Sequence, residues 1–430
     1  MIGMQEYKQR RRDLMRNLPK NGIAIIPGGR EVLRNGDVHY PFRQNSDFLY
    51  LTGISEANAV LVLTAAVDIL FSEAFDEQKT IWTGPVIGQA QAIDYYGLDE
   101  SYEISVLENK LSALLDGVEA IFYPFLQSGG WEKKLFNAWK KSRAANKKGR
   151  YLASSFHDVV PLIAKMRLIK SDAEIAALQK AVDISVDAHL AVMHKIKNCD
   201  YEYQAAAIFH NYLQSHGVND TAYPSIVAAG ENACILHYTQ NNHRIKANDL
   251  LLIDAGAEYL GYAADITRTY PVRGNWTLEQ QAIYELVLEA QQSAINKIAP
   301  KVAWGELQSE MVVILTQGLK DLGILHGSLD SLLEQHAYKS FYMHGAGHWL
   351  GLDVHDVGNY VEDEKALLLT KNMVMTVEPG LYLSAKIPGL DARWHGIGVR
   401  IEDDIAVTSS GANILSARLP KKINELNIGG

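Results

Sequence analysis

The chain has 430 residues, 47% of them apolar and 21% charged, with a formal net charge of −9 and two cysteines, Cys199 and Cys234. That length calls for two domains, and the acidic balance argues against a nucleic-acid partner. Two cysteines supply no disulfide framework, the basic start MIGMQEYKQRRRDLMRNL has no apolar signal core, and no run approaches the roughly 18 apolar residues of a membrane span, so a cytoplasmic protein with no membrane partner is expected.

In chain order, residues 5 to 17 read as a helix, and GIAIIPG (22 to 28), ANAVLVLT (57 to 64) and VEAIFYPF (118 to 125) read as short apolar strands. Helical spacing returns at 107 to 115 and 131 to 143, and the basic run 133 to 150 reads as a solvated helix and loop. This alternation predicts a sheet flanked by helices. Ser171 and Glu174 then form a capping box, followed by Ile175, Leu178, Val182, Val186 and Met193 at helical spacing. A new unit starts there, giving an N-terminal domain over 1–170 and a C-terminal domain over 171–430. Thr277 and Gln280 repeat the cap before a second long helix at 278 to 298.

The chemistry concentrates in the second domain. LLIDAGAEYLGYAADITRTYP (251 to 271) places Asp254 and Asp265 among small and apolar residues. A symmetric hairpin turning at Tyr259-Leu260 sets the two aspartates directly opposite, with Cβ atoms roughly 5 Å apart. A divalent cation relieves the repulsion between like charges so placed. A slipped register, with one aspartate in a turn and the other at an edge, is the competing reading. FYMHGAGHWLGLDVHDVG (341 to 358) holds His344, His348 and His355 among glycines, close to Trp349 and Asp353. The glycines oppose a helix and favour a loop or irregular strand. In NMVMTVEPGLYL (372 to 383), Glu378 ends an apolar run before Pro379-Gly380, facing either solvent or a cleft. In GIGVRIEDDIAVT (396 to 408), Arg400 and Glu402 share a strand face, which taken alone reads as a surface ion-pair strand.

Asp254, Asp265, Glu378, Glu402 and one imidazole make an oxygen-rich donor set. It selects hard or borderline divalent ions such as Mn, Mg, Co or Zn. Four carboxylates suit two dications, and two dications point to hydrolysis.

LLIDAGAEYLGYAADITRTYP, MHGAGHWLGLDVHD, TVEPGLYL and RIEDD together resemble the pita-bread metallopeptidases, and among them the Xaa-Pro aminopeptidase (aminopeptidase P) family. RQNSDFLYLTG (43 to 53) resembles that family's N-terminal domain, and AAGENACILHYTQNN (228 to 242) its catalytic domain. The resemblance implies an α/β N-terminal domain of creatinase type and an α+β pita-bread (creatinase/aminopeptidase-like) catalytic domain. It implies Asp254, Asp265, His348, Glu378 and Glu402 as ligands of two divalent ions, Mn(II) foremost, with Asp265 and Glu402 bridging. His237, Glu378 and His355 form the implied catalytic set, with His237 near the scissile carbonyl and Glu378 as proton shuttle. His344 and Arg400 line the substrate pocket together with His355. Trp82, in IWTGPVIG, resembles a tryptophan that a neighbouring subunit contributes in tetrameric members, so a homodimer or homotetramer is implied. The implied reaction is hydrolysis of the N-terminal Xaa-Pro bond of peptides with proline at the second position, by a hydroxide bridging two metals. Prolidase, which cuts Xaa-Pro dipeptides, uses the same five ligands and is the alternative. Metal-free relatives, binding modules and creatinase among them, lack this ligand set.

Overall fold

In the computed structural model, which describes residues 2–125, 130–145, 152–362 and 364–426, the chain divides into two units, Met1–Arg167 and Leu168–Gly430. Residues 146–150, the end of the basic run, lie outside the described residues.

The first unit is built on a six-stranded sheet. Its spatial order is Glu100–Glu103, Asp68–Ser72, Val60–Thr64, Gly22–Pro27, Ala120–Tyr123, Ser155–Asp158. Gly22–Pro27 runs antiparallel to Val60–Thr64 and parallel to Ala120–Tyr123. Ile23, Ile25, Val60 and Val62 pack with Leu107, Leu111, Leu135 and Ala138 of the helices Leu107–Leu114 and Trp131–Ala145. The alternate residues Ala24, Ile26, Leu61 and Leu63 are equally buried, so these strands read as continuous apolar runs because both faces are covered. Helices Met4–Asn17 and Ser46–Thr52 also contact these strands.

The second unit opens with the helix Asp172–Lys195, whose Ser171–Glu174 capping box is present, and continues through Leu278–Lys297, capped by Thr277 and Gln280. These helices and Trp304–Asp321 bury Ile184, Ala188, Ile283, Val287, Met311 and Leu315 in one apolar core shared with the strands. The strands form a three-stranded sheet with Leu250–Asp254 between Thr267–Pro271 and Ile226–Ala229, a second with Asp403–Val407 between Val374–Val377 and Ala412–Ile414, and the pair Gly380–Leu383 with Ile397–Arg400. Among the described residues no helix is long and apolar enough to cross a membrane.

The register of the aspartate hairpin corrects the expectation from sequence. Asp254 pairs with Thr267, not with Asp265, and Tyr259 pairs with Tyr262. The turn is therefore Leu260-Gly261, whose φ angles of 53° and 84° put both central residues in the left-handed region that a two-residue hairpin turn requires. A leucine at the first of these positions hides the turn from sequence reading. In this register Asp265 is the diagonal, same-face neighbour of Asp254. It lies opposite Gly256, where an added Cβ would stand 1.7 Å from the Ala264 carbonyl oxygen. Glycine at 256 is what lets the two strands close beneath the carboxylates.

GIGVRIEDDIAVT is also not one surface strand. It is two, Ile397–Arg400 and Asp403–Val407, broken at Ile401-Glu402 and buried throughout. The break lets consecutive acids point to different partners. Glu402 accepts from the Thr267 hydroxyl at 2.6 Å, Asp403 pairs with Arg268 at 2.7 Å, and Asp404 accepts from the Asp265 amide at 3.1 Å.

Candidate metal centre

Two antiparallel crossings bring the acidic and imidazole side chains together. The first is the hairpin that carries Asp254 and Asp265. The second joins the histidine-rich segment to the strand Val374–Val377. There the Glu378 amide donates to the Ala346 carbonyl at 2.9 Å, the Thr376 amide to His348 at 2.9 Å, and the Leu350 amide to Val374 at 3.0 Å. The segment is thus an irregular strand, and His348 and Glu378 are its diagonal, same-face pair. Gly347 allows the approach, because a Cβ there would lie 2.1 Å from the Thr376 carbonyl oxygen. Glu402 joins from the strand break, its amide donating to the Thr267 carbonyl at 3.1 Å.

One ligand atom from each of Asp265, His348 and Glu402 lies within 4.8 Å of the other two. His348 Nε2 stands 3.3 Å from Asp265 Oδ2 and 3.6 Å from Glu378 Oε1. Asp254 and Asp265 both accept from the Tyr223 hydroxyl, at 2.6 and 2.5 Å. All five predicted ligands line one cavity of about 530 Å³, together with Tyr223, Leu236, His237, Thr239, His344, His355 and Arg400. The His355 ring packs edge-on against that of His348, with centroids 4.3 Å apart. Trp82 does not line this cavity. It sits on the helix Glu77–Thr83 of the first unit and is 87% exposed.

The electrostatics call for a cation. Burial first, and then neighbouring carboxylates, hold Asp265 and Glu402 above the ordinary carboxylate range: Asp254 repels Asp265, while Asp265, Glu378 and Asp254 repel Glu402, which lies well above it. Glu378 is pushed up to about 7, by burial against the attraction of His348 and with the repulsion of Asp265. Burial pushes His348 down, but its hydrogen bond to Asp265 and the charges of Asp265 and Glu378 outweigh this and lift it to about 9. The imidazolium therefore carries the counter-charge of the cluster. A dication would replace that proton, since a metal ligand must be deprotonated. The tautomer suits this. Nδ1 faces the Trp349 carbonyl oxygen at 3.0 Å and must donate to it, so neutral His348 presents the Nε2 lone pair to the carboxylates. Four oxygen donors and one imidazole fit a hard or borderline divalent ion.

Several supporting groups carry no signal in the sequence. The Tyr223 hydroxyl bridges Asp254 and Asp265, and burial followed by the neighbouring aspartates pushes it far above the ordinary phenol value, so it stays a donor. Tyr382 links two predicted pocket residues. Arg400 donates to its hydroxyl at 3.0 Å while holding Asp254 at 2.6 Å. His344 Nδ1 must donate to the Gly345 carbonyl at 3.0 Å, so its Nε2, 2.7 Å from the Tyr382 oxygen, accepts that hydroxyl proton. Burial, then the charge of Arg400, lower His344 to about 4, which keeps it neutral. Neither tyrosine stands in a pattern that periodicity or spacing marks. Asp356, buried and paired with Lys170 at 2.8 Å, anchors the end of the histidine segment.

Comparison with known proteins agrees with this architecture. The family model described as metallopeptidase family M24 matches residues 176–409, and that of the aminopeptidase P N-terminal domain matches residues 7–123. The chain is 40% identical to the Xaa-Pro aminopeptidase of Escherichia coli over 99% of its own length and 97% of that protein's. It is 40% identical to the Xaa-Pro aminopeptidase of Haemophilus influenzae over 98% and 96%. Among solved structures, an E. coli aminopeptidase P with the inhibitor Pro-Leu superposes with a TM-score of 0.95 at 39% identity, covering 99% of this chain and 98% of that one. A zinc-substituted E. coli aminopeptidase P in complex with product gives 0.96 at the same identity and coverage. The second unit is thus a pita-bread catalytic domain, and the chain belongs to metallopeptidase family M24, within its aminopeptidase P group.

Proposed function

We propose that this chain is a metal-dependent Xaa-Pro aminopeptidase, releasing the N-terminal residue from peptides whose second residue is proline. The observation that carries the reading is the convergence of His348 and the carboxylates on one buried cavity, in a chain that matches aminopeptidase P along its whole length. In this reading Asp254, Asp265, His348, Glu378 and Glu402 would hold two divalent ions, Mn(II) foremost. Bound there, the ions supply Lewis acidity, making water nucleophilic at neutral pH and drawing charge from the scissile carbonyl.

The chain's own groups do the rest. The bond before proline is a tertiary amide without N–H, so its departing nitrogen must be given a proton. Glu378 takes a proton from the attacking water and delivers it to the proline nitrogen. His237, on the cavity wall, donates a hydrogen bond to the carbonyl oxygen as it gains charge. His344, His355 and Arg400 line the peptide's path. Arg400 and Tyr223 fix the Asp254 carboxylate from two sides, so it does not reorganise when substrate enters. A homodimer or homotetramer in a reducing cytoplasm completes the proposal, with Trp82 offered to a neighbouring subunit from its exposed helix.

Steady-state kinetics on Gly-Pro-Xaa tripeptides and Gly-Pro, with bound metal measured on the same sample, test it. Cleavage of the tripeptides by metal-loaded protein is expected. Hydrolysis confined to the dipeptide would make the protein a prolidase, and a metal-loaded protein that cleaves neither would overturn the reading.

A further inference from the structure

Glu202 opens the helix Glu202–Ser215, is fully buried, and does not line the cavity described above. Its Oε1 accepts from the Ala229 amide at 2.8 Å and the Asn232 side-chain amide at 2.9 Å. Its Oε2 accepts from the Tyr238 hydroxyl at 2.7 Å and the His243 amide at 2.8 Å. Four donors occupy the four acceptor sites of an ionised carboxylate. All four come from one stretch, 229–243, which leaves the sheet after Ile226–Ala229 and carries Leu236, His237 and Thr239 of the cavity wall. The return of the stretch is fastened as well. The Glu202 amide donates to the His243 carbonyl at 3.1 Å, and the Asn241 side chain bonds the Val227 amide and the Ser225 carbonyl at 2.9 and 2.8 Å.

His237 needs this support. It is exposed, and among the described residues no hydrogen bond restrains its ring. Its place on the cavity wall depends on the course of its backbone. A first-turn acid favours a helix macrodipole from the surface, so that role does not require complete burial or four converging donors. A carboxylate taken fully out of water is tolerated where its hydrogen bonds are all made.

We propose that Glu202 is a positioning residue for the reaction, clamping the backbone on both sides of His237 so that the imidazole meets the scissile carbonyl oxygen. The inference rests on the reading of His237 as the donor to that oxygen.

A double-mutant cycle of Glu202→Gln and His237→Ala tests it, with kcat, KM, bound metal and melting temperature measured on each preparation. Glutamine keeps the shape but turns an NH2 donor, where an oxygen accepted, towards two of the donors. His237→Ala alone is expected to lower kcat by ~10²–10³. Glu202→Gln alone is expected to lower kcat by up to about 10², as for a misplaced catalytic group, with KM and bound metal unchanged. The two losses should overlap, the double variant being no slower than His237→Ala. Losses that multiply, or a Glu202→Gln protein that melts lower but keeps its kcat per folded molecule, would overturn the inference while leaving His237 in its role. Near-normal kcat in His237→Ala would overturn both. If Glu202→Gln does not fold, Tyr238→Phe removes one donor and keeps the carboxylate. It is expected to lose about tenfold in kcat in the parent and nothing further in His237→Ala, and an unchanged kcat in the parent overturns the inference.

Discussion

The hairpin that carries Asp254 and Asp265 and the crossing that carries His348 and Glu378 use one geometry at two sequence distances. In both, an antiparallel pair presents two of the proposed ligands as diagonal, same-face neighbours. In both, a glycine beside or opposite a ligand, Gly256 or Gly347, admits the other strand's carbonyl to a distance that a side chain would block. They differ in how the strands are joined. The hairpin turns within a few residues, whereas the histidine segment and Val374–Val377 are joined by a long connection and held by three backbone hydrogen bonds and a Thr376 hydroxyl that accepts from the His348 amide at 3.1 Å. They also differ in backing. Behind the hairpin, buried His189 donates from Nε2 to the Ala255 carbonyl at 2.9 Å. A local pair can form early and alone, while a non-local pair must first meet its loop-closure cost, so more of the second crossing's order is expected to depend on bound metal.

The largest effect is expected at the non-local crossing. Glu378→Gln should lose ~10²–10⁴ in kcat and part of the bound metal, since one carboxylate is proposed as both ligand and proton carrier. Near-normal turnover with full metal would remove Glu378 from the chemistry.

Chelation comes next. Clustered carboxylates repel once their cation is gone, so extensive dialysis against EDTA should lower the melting temperature as well as abolish activity. For metal present at 10²–10³ times its Kd the loss is about 3–4 kcal/mol. Hydrogen exchange on the same samples sharpens the comparison: amides of 346–350 should lose more protection than those of 250–254. Equal loss in the two segments would break the distinction between them.

The paired substitutions Gly256→Ala and Gly347→Ala probe the shared device. Each should cost about 1–3 kcal/mol by forcing the strands apart, and each should lower metal content. A variant of either kind with unchanged thermal stability and metal would show that the close approach is not required there.

The smallest effect is a pH dependence confined to the hairpin's backing. Burial, the leading cause, lowers His189 from its ordinary 6.5 to about 4. The folded state therefore favours the neutral ring. Its stabilisation is complete above the unfolded value of 6.5 and is lost as pH falls towards 4, because the unfolded chain takes up the proton first. Between pH 6.5 and 5 the parent should lose about 1–2 kcal/mol more stability than His189→Gln, which retains a donor but does not titrate. Parallel curves for the two proteins would contradict the assignment.

What the sequence disclosed follows the same division. Capping boxes at Ser171 and Thr277 and the apolar runs of the first unit are local signals, and they mark the elements that form there. Asp254 and Asp265 drew attention because burial of like charges within one hairpin is a local oddity. Their register is not legible because Leu260 occupies a turn position where asparagine or glycine would announce it. Glu378 and Glu402 enter the donor set by their chemistry, but which histidine completes it, and the role of each ligand, comes only through resemblance to a family. No periodicity relates residues that meet across a non-local crossing. Tyr223, Tyr382, Thr267 and Glu202 are silent for a related reason: each acts through one polar group, and one hydroxyl or carboxylate in a chain this long carries no pattern.

The central claim is that both crossings serve one metal centre. Anomalous diffraction from crystals grown with Mn(II) tests it most directly. Peaks are expected within the ~2.0–2.6 Å of metal–ligand bonds of Asp254, Asp265, His348, Glu378 and Glu402, with Asp265 and Glu402 touching two peaks. A metal bound by one crossing alone, with His348 and Glu378 or the two aspartates left outside bonding distance, would contradict it.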